Sequence, residues 1–286
     1  MKGDDHPADA GAGRTPGYGQ GLTPKYARPD RRNTRTVRVG GLVIGGRMPV
    51  VVQEMAVSSP RDLERAAGEI LSLEEIGCRL VRIALPDIEA ARAVKALKER
   101  VRVPLVGDVH FDERIALEAI ARGIDKLRLN PGNIGNPRGV EGVARAAAER
   151  GVPIRVGVNA GSLEKDLLER HGGPVPEALV ESALRQVAIL ERSRFSDIVI
   201  SIKSSDVRTT VDANLLISSR VDYPLHVGVS EAGFGEQGTV RSAVGIGAIL
   251  MNGIGDTVRV SLTSRDRASN LALCRGILDS LRIPWI

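Results

Sequence analysis

The chain has 286 residues, a formal net charge of +5 and an aromatic content of only 2%. That length buries a substantial core, which must be aliphatic, and the scarcity of rings argues against a stacking platform for single-stranded nucleic acid. No apolar run is long enough for a membrane span and no apolar signal core opens the chain, so a cytoplasmic protein with no nucleic-acid and no membrane partner is expected.

Residues 1–31 read as a disordered, basic, Gly/Pro-rich tail. The first 38 residues carry eight basic side chains against four acidic ones, most of the chain's excess charge, so the high pI does not mark a nucleic-acid face. The remaining span, 32–286, reads as one domain. Its short β-branched runs are PVVVQ (49–53), RLVRIAL (79–85), PLVGDVH (104–110), DKLRLN (125–130), PIRVGVN (153–159), DIVISIK (197–203), PLHVGVS (224–230) and DTVRVSL (256–262). Helical patterns separate them. After the first run, Ser59 is placed to cap, Pro60 fits the first helical position, and Leu63, Ala66, Ala67, Ile70 and Leu73 form an apolar stripe ending at Gly77. PEALVESALRQVAIL (176–190) behaves similarly.

Eight strands alternating with helices over about 240 residues fit an α/β fold of the (β/α)8 TIM-barrel type. A doubly wound open sheet is the rival. The strand count, and the absence of a Gly-rich dinucleotide fingerprint after the first strand, favour the barrel. GIGAIL near Gly245 lies inside a helical pattern and reads as close helix packing. Cys78 and Cys274 are far apart and outside any CxxC, and read as small buried hydrophobes. No HxxxH or Asp/His cluster marks a metal site.

Alternation along the strands sorts the charged residues. If Val81, Ile83, Leu85, Leu127, Leu129, Ile154, Val156 and Val158 face the helices, then Arg82, Asp108, His110, Lys126, Arg128, Asn130, Arg155 and Asn159 face inward. The later strands add Ser201, Lys203, His226, Ser230, Arg259 and Ser261, with Glu231 directly after Ser230. Inward cations with few inward acids are costly unless an anion arrives, and arginine forks match phosphate oxygens. The expected ligand is a small, multiply anionic molecule, a phosphate ester or diphosphate, at the C-terminal face of the strands. NPGNIGN (130–136) suits an anion nest, and the connection 159–177 is long enough for a lid.

Glu231 is the leading acid–base candidate, with a salt-bridge role as the alternative. His110 is a general acid or phosphate donor that Asp108 orients. Lys203 raises a second chemistry, an aldolase-like Schiff base, although no lysine-depressing apolar pocket is legible in the sequence.

The stretches RRNTRTVRVGGLVIGG, VRIALPD, DVHFDERIAL, LRLNPGNIGN, IRVGVNAGSLEKDLLERHG, IKSSD, SEAG, GIGDTVRVSL and ILDSLRI occur in this order along the chain. Together, over residues 31–284, they resemble the 4-hydroxy-3-methylbut-2-en-1-yl diphosphate synthase family of the deoxyxylulose phosphate route to isoprenoids. The resemblance implies a reductive ring opening of 2-C-methyl-D-erythritol 2,4-cyclodiphosphate, with electrons from flavodoxin or ferredoxin through a [4Fe-4S] cluster in a homodimer. It places the diphosphate on Arg82, His110, Arg128, Asn130, Asn133, Arg155, Lys203, Arg259 and Ser261, and the proton-handling acid at Glu231. The sequence departs from the family in two places. Gln-Ser-Met-Thr-Asn-Thr after the first strand is here QEMAVS (53–58), which adds Glu54. The family also continues past LRI into a small domain whose three cysteines and one glutamate hold the cluster, whereas this sequence closes on LRIPWI. The expectation is a barrel that binds the cyclic diphosphate and needs a separate iron–sulfur domain protein in trans for turnover. The alternative is a non-catalytic diphosphate-binding or regulatory barrel.

Overall fold

The computed structural model describes residues 30–110, 112–129, 137–263 and 266–286. A small antiparallel hairpin comes first, β1 (Val37–Val39) and β2 (Leu42–Ile44). Eight further strands are β3 (Val51–Met55), β4 (Leu80–Ala84), β5 (Leu105–Val109), β6 (Lys126–Leu129), β7 (Ile154–Asn159), β8 (Ile198–Lys203), β9 (His226–Val227) and β10 (Thr257–Val258). They form one parallel sheet in the order β8-β7-β6-β5-β4-β3-β10-β9. A parallel bridge between Ile200 and Leu225, with the Ile200 amide donating to the Pro224 carbonyl at 3.0 Å, joins the two ends. The barrel is thereby closed, and the open-sheet rival is set aside.

Helices fill the crossovers: α1 (Leu63–Glu75), α2 (Ile88–Lys98), α3 (Glu113–Ala121), α4 (Pro137–Arg150), α5 (Lys165–His171), α6 (Pro176–Arg192), α7 (Val207–Ser218), α8 (Gly235–Met251) and α9 (Arg267–Ser280). Helix α5 is an extra short piece between β7 and α6. Helix α6 begins at Pro176 as its sequence predicts, because proline's missing N–H costs nothing there. Helix α1 begins later than Ser59 and Pro60 suggest. Asp62 is its cap, accepting from the Arg65 amide at 3.2 Å, while the Ser59 hydroxyl takes the Arg61 amide instead.

The alternation expected of the strands holds. Val81, Ile83, Leu127, Leu129, Ile154 and Val156 join the buried layer between sheet and helices. Inward residues at the strand starts, Val51, Leu80, Val106 and Val199, form a second apolar cluster with Val37, Val39 and Ile44 of the hairpin. The hairpin therefore plugs the N-terminal mouth, and polar residues are left the C-terminal mouth. The two ladders closest to the closure are short. β9 and β10 pair over two residues each, against the seven expected, and single bonds such as Arg259 N–H to the Val227 carbonyl at 3.1 Å extend them.

Both ends of the described domain are tied to the barrel. Arg32 donates to the Ser218 carbonyl at 2.8 Å, and Arg31 pairs with the buried Asp256 at 3.2 Å. At the other end, Val50 N–H donates to Pro284 at 2.8 Å, Val52 N–H to Ile286 at 2.9 Å, and Ile286 N–H back to Val50 at 3.0 Å. The tail expected over residues 1–31 lies almost wholly outside the described residues. Among the described residues no helix is long and apolar enough to cross a membrane.

Candidate functional site

A cavity of about 440 Å³ opens where the strands end. Arg82, Asp108, His110, Arg128, Arg155, Asn159, Lys203, Glu231, Arg259 and Ser261 all line it. These are all the expected site residues that the structure describes; Asn130, Asn133 and the rest of the NPGNIGN loop lie outside the described residues. One site thus gathers side chains from β4, β5, β6, β7, β8 and the segments after β9 and β10.

Asp108 organises one side. It is buried, and its carboxylate receives Arg128 Nη1 at 3.0 Å, faces His110 Nε2 at 3.1 Å and Arg82 Nε at 3.6 Å. Burial alone would push its carboxyl up; Arg82, His110 and Arg128 outweigh that and hold it well below the usual carboxylate range. Burial pushes the Arg82 guanidinium down to about 10, and its Nη2 also rests on Met55 Sδ at 2.8 Å.

Behind the cavity, on β3 next to β4, is a second carboxylate that sequence reading left without a partner. Glu54 is fully buried and its Oε1 accepts from Arg259 Nε at 3.3 Å. The inward cations are therefore better matched than alternation alone suggested: Asp108 serves Arg82 and Arg128, and Glu54 serves Arg259. Arg155 and Lys203 have no acidic partner among the described residues, nor does Lys126 deeper in the wall.

Lys203 lies 3.2 Å from His226 Nε2, and His226 Nδ1 meets the Thr257 hydroxyl. Burial, then Arg155 and the other arginines, drives the Lys203 ammonium well below its ordinary value. Burial, then Lys203, does the same to His226. One of the two facing nitrogens must be an acceptor, so the pair cannot be doubly charged. The lysine-depressing environment not legible in the sequence is thus supplied by the barrel interior.

Two inward glycines make room for these cations. A Cβ on Gly157 would stand 2.5 Å from Arg128 Nε, and one on Gly228 would stand 2.8 Å from Lys203 Nζ. The signal was present in RVGVN and HVGVS, where a glycine occupies an inward register position. Sequence reasoning also passed over Ser162, Ser204 and Ser205, which add hydroxyls to the wall.

Glu231 sits at the rim, exposed, with φ of 47°, a left-handed conformation rare outside glycine. Ser230 before it is fixed by its amide, which donates to the Ser204 carbonyl at 3.0 Å. The connection 159–177, expected as a lid, is packed down instead. Ala160–Ser162 form a short 3-10 turn in the cavity wall, and the buried Leu163 and Leu167 anchor the start of the connection and helix α5 to the core.

The two cysteines do not fit an iron–sulfur cluster. Cys78 donates to the Leu80 carbonyl and Cys274 accepts from the Val260 amide, both buried in the layer behind the strands. Burial pushes their thiols up to about 11 and about 12, away from the thiolate a cluster requires. Among the described residues no group of three or more His, Cys, Asp or Glu side chains is placed to hold a metal ion.

The family model described as the GcpE TIM-barrel domain matches residues 34–274. The chain belongs to the GcpE family. It is 51% identical over 251 residues to the 4-hydroxy-3-methylbut-2-en-1-yl diphosphate synthase (flavodoxin) of Caldanaerobacter subterraneus, covering 88% of this chain and 70% of that protein. It is 54% identical to the synthase of the same name from Fusobacterium nucleatum over 81% of this chain and 66% of that one. For Symbiobacterium thermophilum the figures are 56%, 82% and 64%. The GcpE barrel thus spans about two thirds of the length of these relatives. Among solved structures it is similar to dihydropteroate synthases from Xanthomonas albilineans (TM-score 0.60, 14% identity, 87% of this chain and 99% of that) and Yersinia pestis (0.59, 14%, 86% and 98%). At that identity the likeness is one of fold.

Proposed function

We propose that this GcpE barrel binds 2-C-methyl-D-erythritol 2,4-cyclodiphosphate and supplies the substrate-holding half of 4-hydroxy-3-methylbut-2-en-1-yl diphosphate synthase. The observation that carries this reading is the convergence of Arg82, Arg128, Arg155, Lys203 and Arg259 on one cavity at the strand C-termini. Such a set is stable against self-repulsion when a multiply charged anion fills it, and fixed forks hold two phosphates in one orientation. Glu231 at the rim donates the proton that the departing hydroxyl requires, and His110, braced by Asp108, serves the phosphate. Asn159 and Ser261 add neutral contacts.

The barrel's share is binding, orientation and the proton. The two electrons would come from a separate iron–sulfur domain protein acting in trans, with flavodoxin or ferredoxin as donor, in a cytoplasmic homodimer. The test is calorimetric binding of the cyclodiphosphate to the chain, followed by turnover with a reduced donor, with and without a separate cluster-domain protein. The expected result is binding that weakens with salt, a loss in Arg128→Ala, and turnover only with the added domain. No binding by the intact chain would sink the reading. Binding without turnover in either arm would leave the diphosphate-binding, non-catalytic role.

The depressed Lys203 favours one second reading, a Schiff-base lyase. Borohydride trapping of a carbonyl substrate on Lys203 supports it, and the absence of any adduct removes it.

A further inference from the structure

Glu54 is not part of the cavity lining. It stands behind Arg259, fully buried, with Oε1 accepting from Arg259 Nε at 3.3 Å and from the Met55 amide at 2.8 Å. Its Oε2 has no hydrogen-bond partner among the described residues. Bonding through Nε leaves both Nη nitrogens of Arg259 as donors for a ligand oxygen. We propose that Glu54 is a specificity-determining residue, a fixed counter-charge that favours a cyclic diphosphate carrying two negative charges over an opened diphosphate ester carrying three. The inference rests on the diphosphate reading given above.

A buried carboxylate repels a bound anion in proportion to the anion's charge, and burial spares that repulsion from salt screening. In a cyclic diphosphate each phosphorus keeps one ionised oxygen. Opening the ring frees a terminal phosphate whose second ionisation has a pKa of about 6, so the ligand gains a charge near neutral pH. Glu54 therefore weakens the hold on the opened form more than on the closed one, and the barrel releases what ring opening makes. Specificity built from a repulsive element is a common device. Three cationic or hydrogen-bonding partners, Arg82, Arg128 and His110, offset the Asp108 carboxylate, whereas Arg259 is the one salt-bridge partner of Glu54 among the described residues.

Two probes isolate charge from ring shape: P1,P2-dimethyl diphosphate, a dianion, and monomethyl diphosphate, a trianion at about pH 8. Calorimetry on the full chain gives both affinities for the wild type and for Glu54→Gln, whose amide oxygen still accepts from Arg259 and Met55. The expected result is that Glu54→Gln tightens the trianion about threefold or more beyond any gain for the dianion. Glu54→Ser, checked for fold by far-UV circular dichroism, serves as a second variant and shifts the ratio in the same direction. An unchanged ratio in the folded variants overturns the role of Glu54 while leaving the site intact. Failure of the wild type to bind either probe overturns the diphosphate reading itself.

Discussion

Lys126 is completely buried in the barrel wall, and its ammonium has no hydrogen-bond partner among the described residues. Burial, then Arg155, drives its pKa well below the ordinary lysine value. A buried charge with no acid beside it costs more than an apolar side chain of similar volume. Lys126→Met is therefore expected to stabilise the fold by about 1–3 kcal/mol, read as a higher midpoint in urea. A lower midpoint would show that the ammonium has a role this geometry lacks. Lys203 gives a prediction in pH. Its folded-state pKa is lowered, so between that value and the ordinary 10.5 the unfolded chain binds more protons, and stability rises with pH across that window. An anion bound beside Lys203 restores the ammonium, so binding takes up protons and affinity falls as pH rises through the same window. Calorimetry in two buffers of different protonation enthalpy reads that uptake directly; identical heats would refute it. Alternation in the sequence was enough to turn Lys126 and Lys203 inward. It was not enough to pair Glu54 with Arg259, because Glu54 shares the register of Val52 and Val81, which join the layer behind the strands, and its partner follows more than two hundred positions later.

At the level of single elements, β7 shows how a strand accommodates its neighbour's cation. Gly157 lies under Arg128, which donates to the Gly157 carbonyl at 3.4 Å and to Asp108 at 3.0 Å. Gly157→Ala puts a methyl group where the guanidinium now runs. The expected outcome is a loss of about tenfold or more in anion affinity with a stability cost of about 1–3 kcal/mol, the usual penalty of overpacking. Unchanged affinity would mean that Arg128 swings away without losing its ligand contact. Helix α6 was legible because its stripe and its Pro176 start agree, and α1 through its stripe alone, since Asp62 rather than Ser59 caps it. The hairpin of β1 and β2 was not, since two three-residue strands in VRVGGLVIGG give too short a period to count. Its role as a plug depends on Val51, Leu80, Val106 and Val199 presenting an apolar floor, which only the assembled barrel provides.

On the scale of the molecule, the barrel separates stability from function along its axis: an aliphatic floor at one mouth, a cationic cavity at the other. The eight-unit alternation made that architecture readable, and the likeness to dihydropteroate synthases at 14% identity shows how little sequence the frame itself demands. The tie between Val50–Val52 and Pro284–Ile286 carries a consequence for the protein's birth. The backbone of the first barrel strand has partners more than two hundred positions downstream, so this tie cannot form while the ribosome still holds Pro284–Ile286. Contacts of such long separation form late and slowly. A nascent-chain force profile should therefore show its final pulling event only once Ile286 has cleared the exit tunnel, and Val50→Pro, which removes the amide that Pro284 receives, should weaken that event while earlier ones persist. An unaltered final event would mean that the barrel seals through β9 and β10 alone.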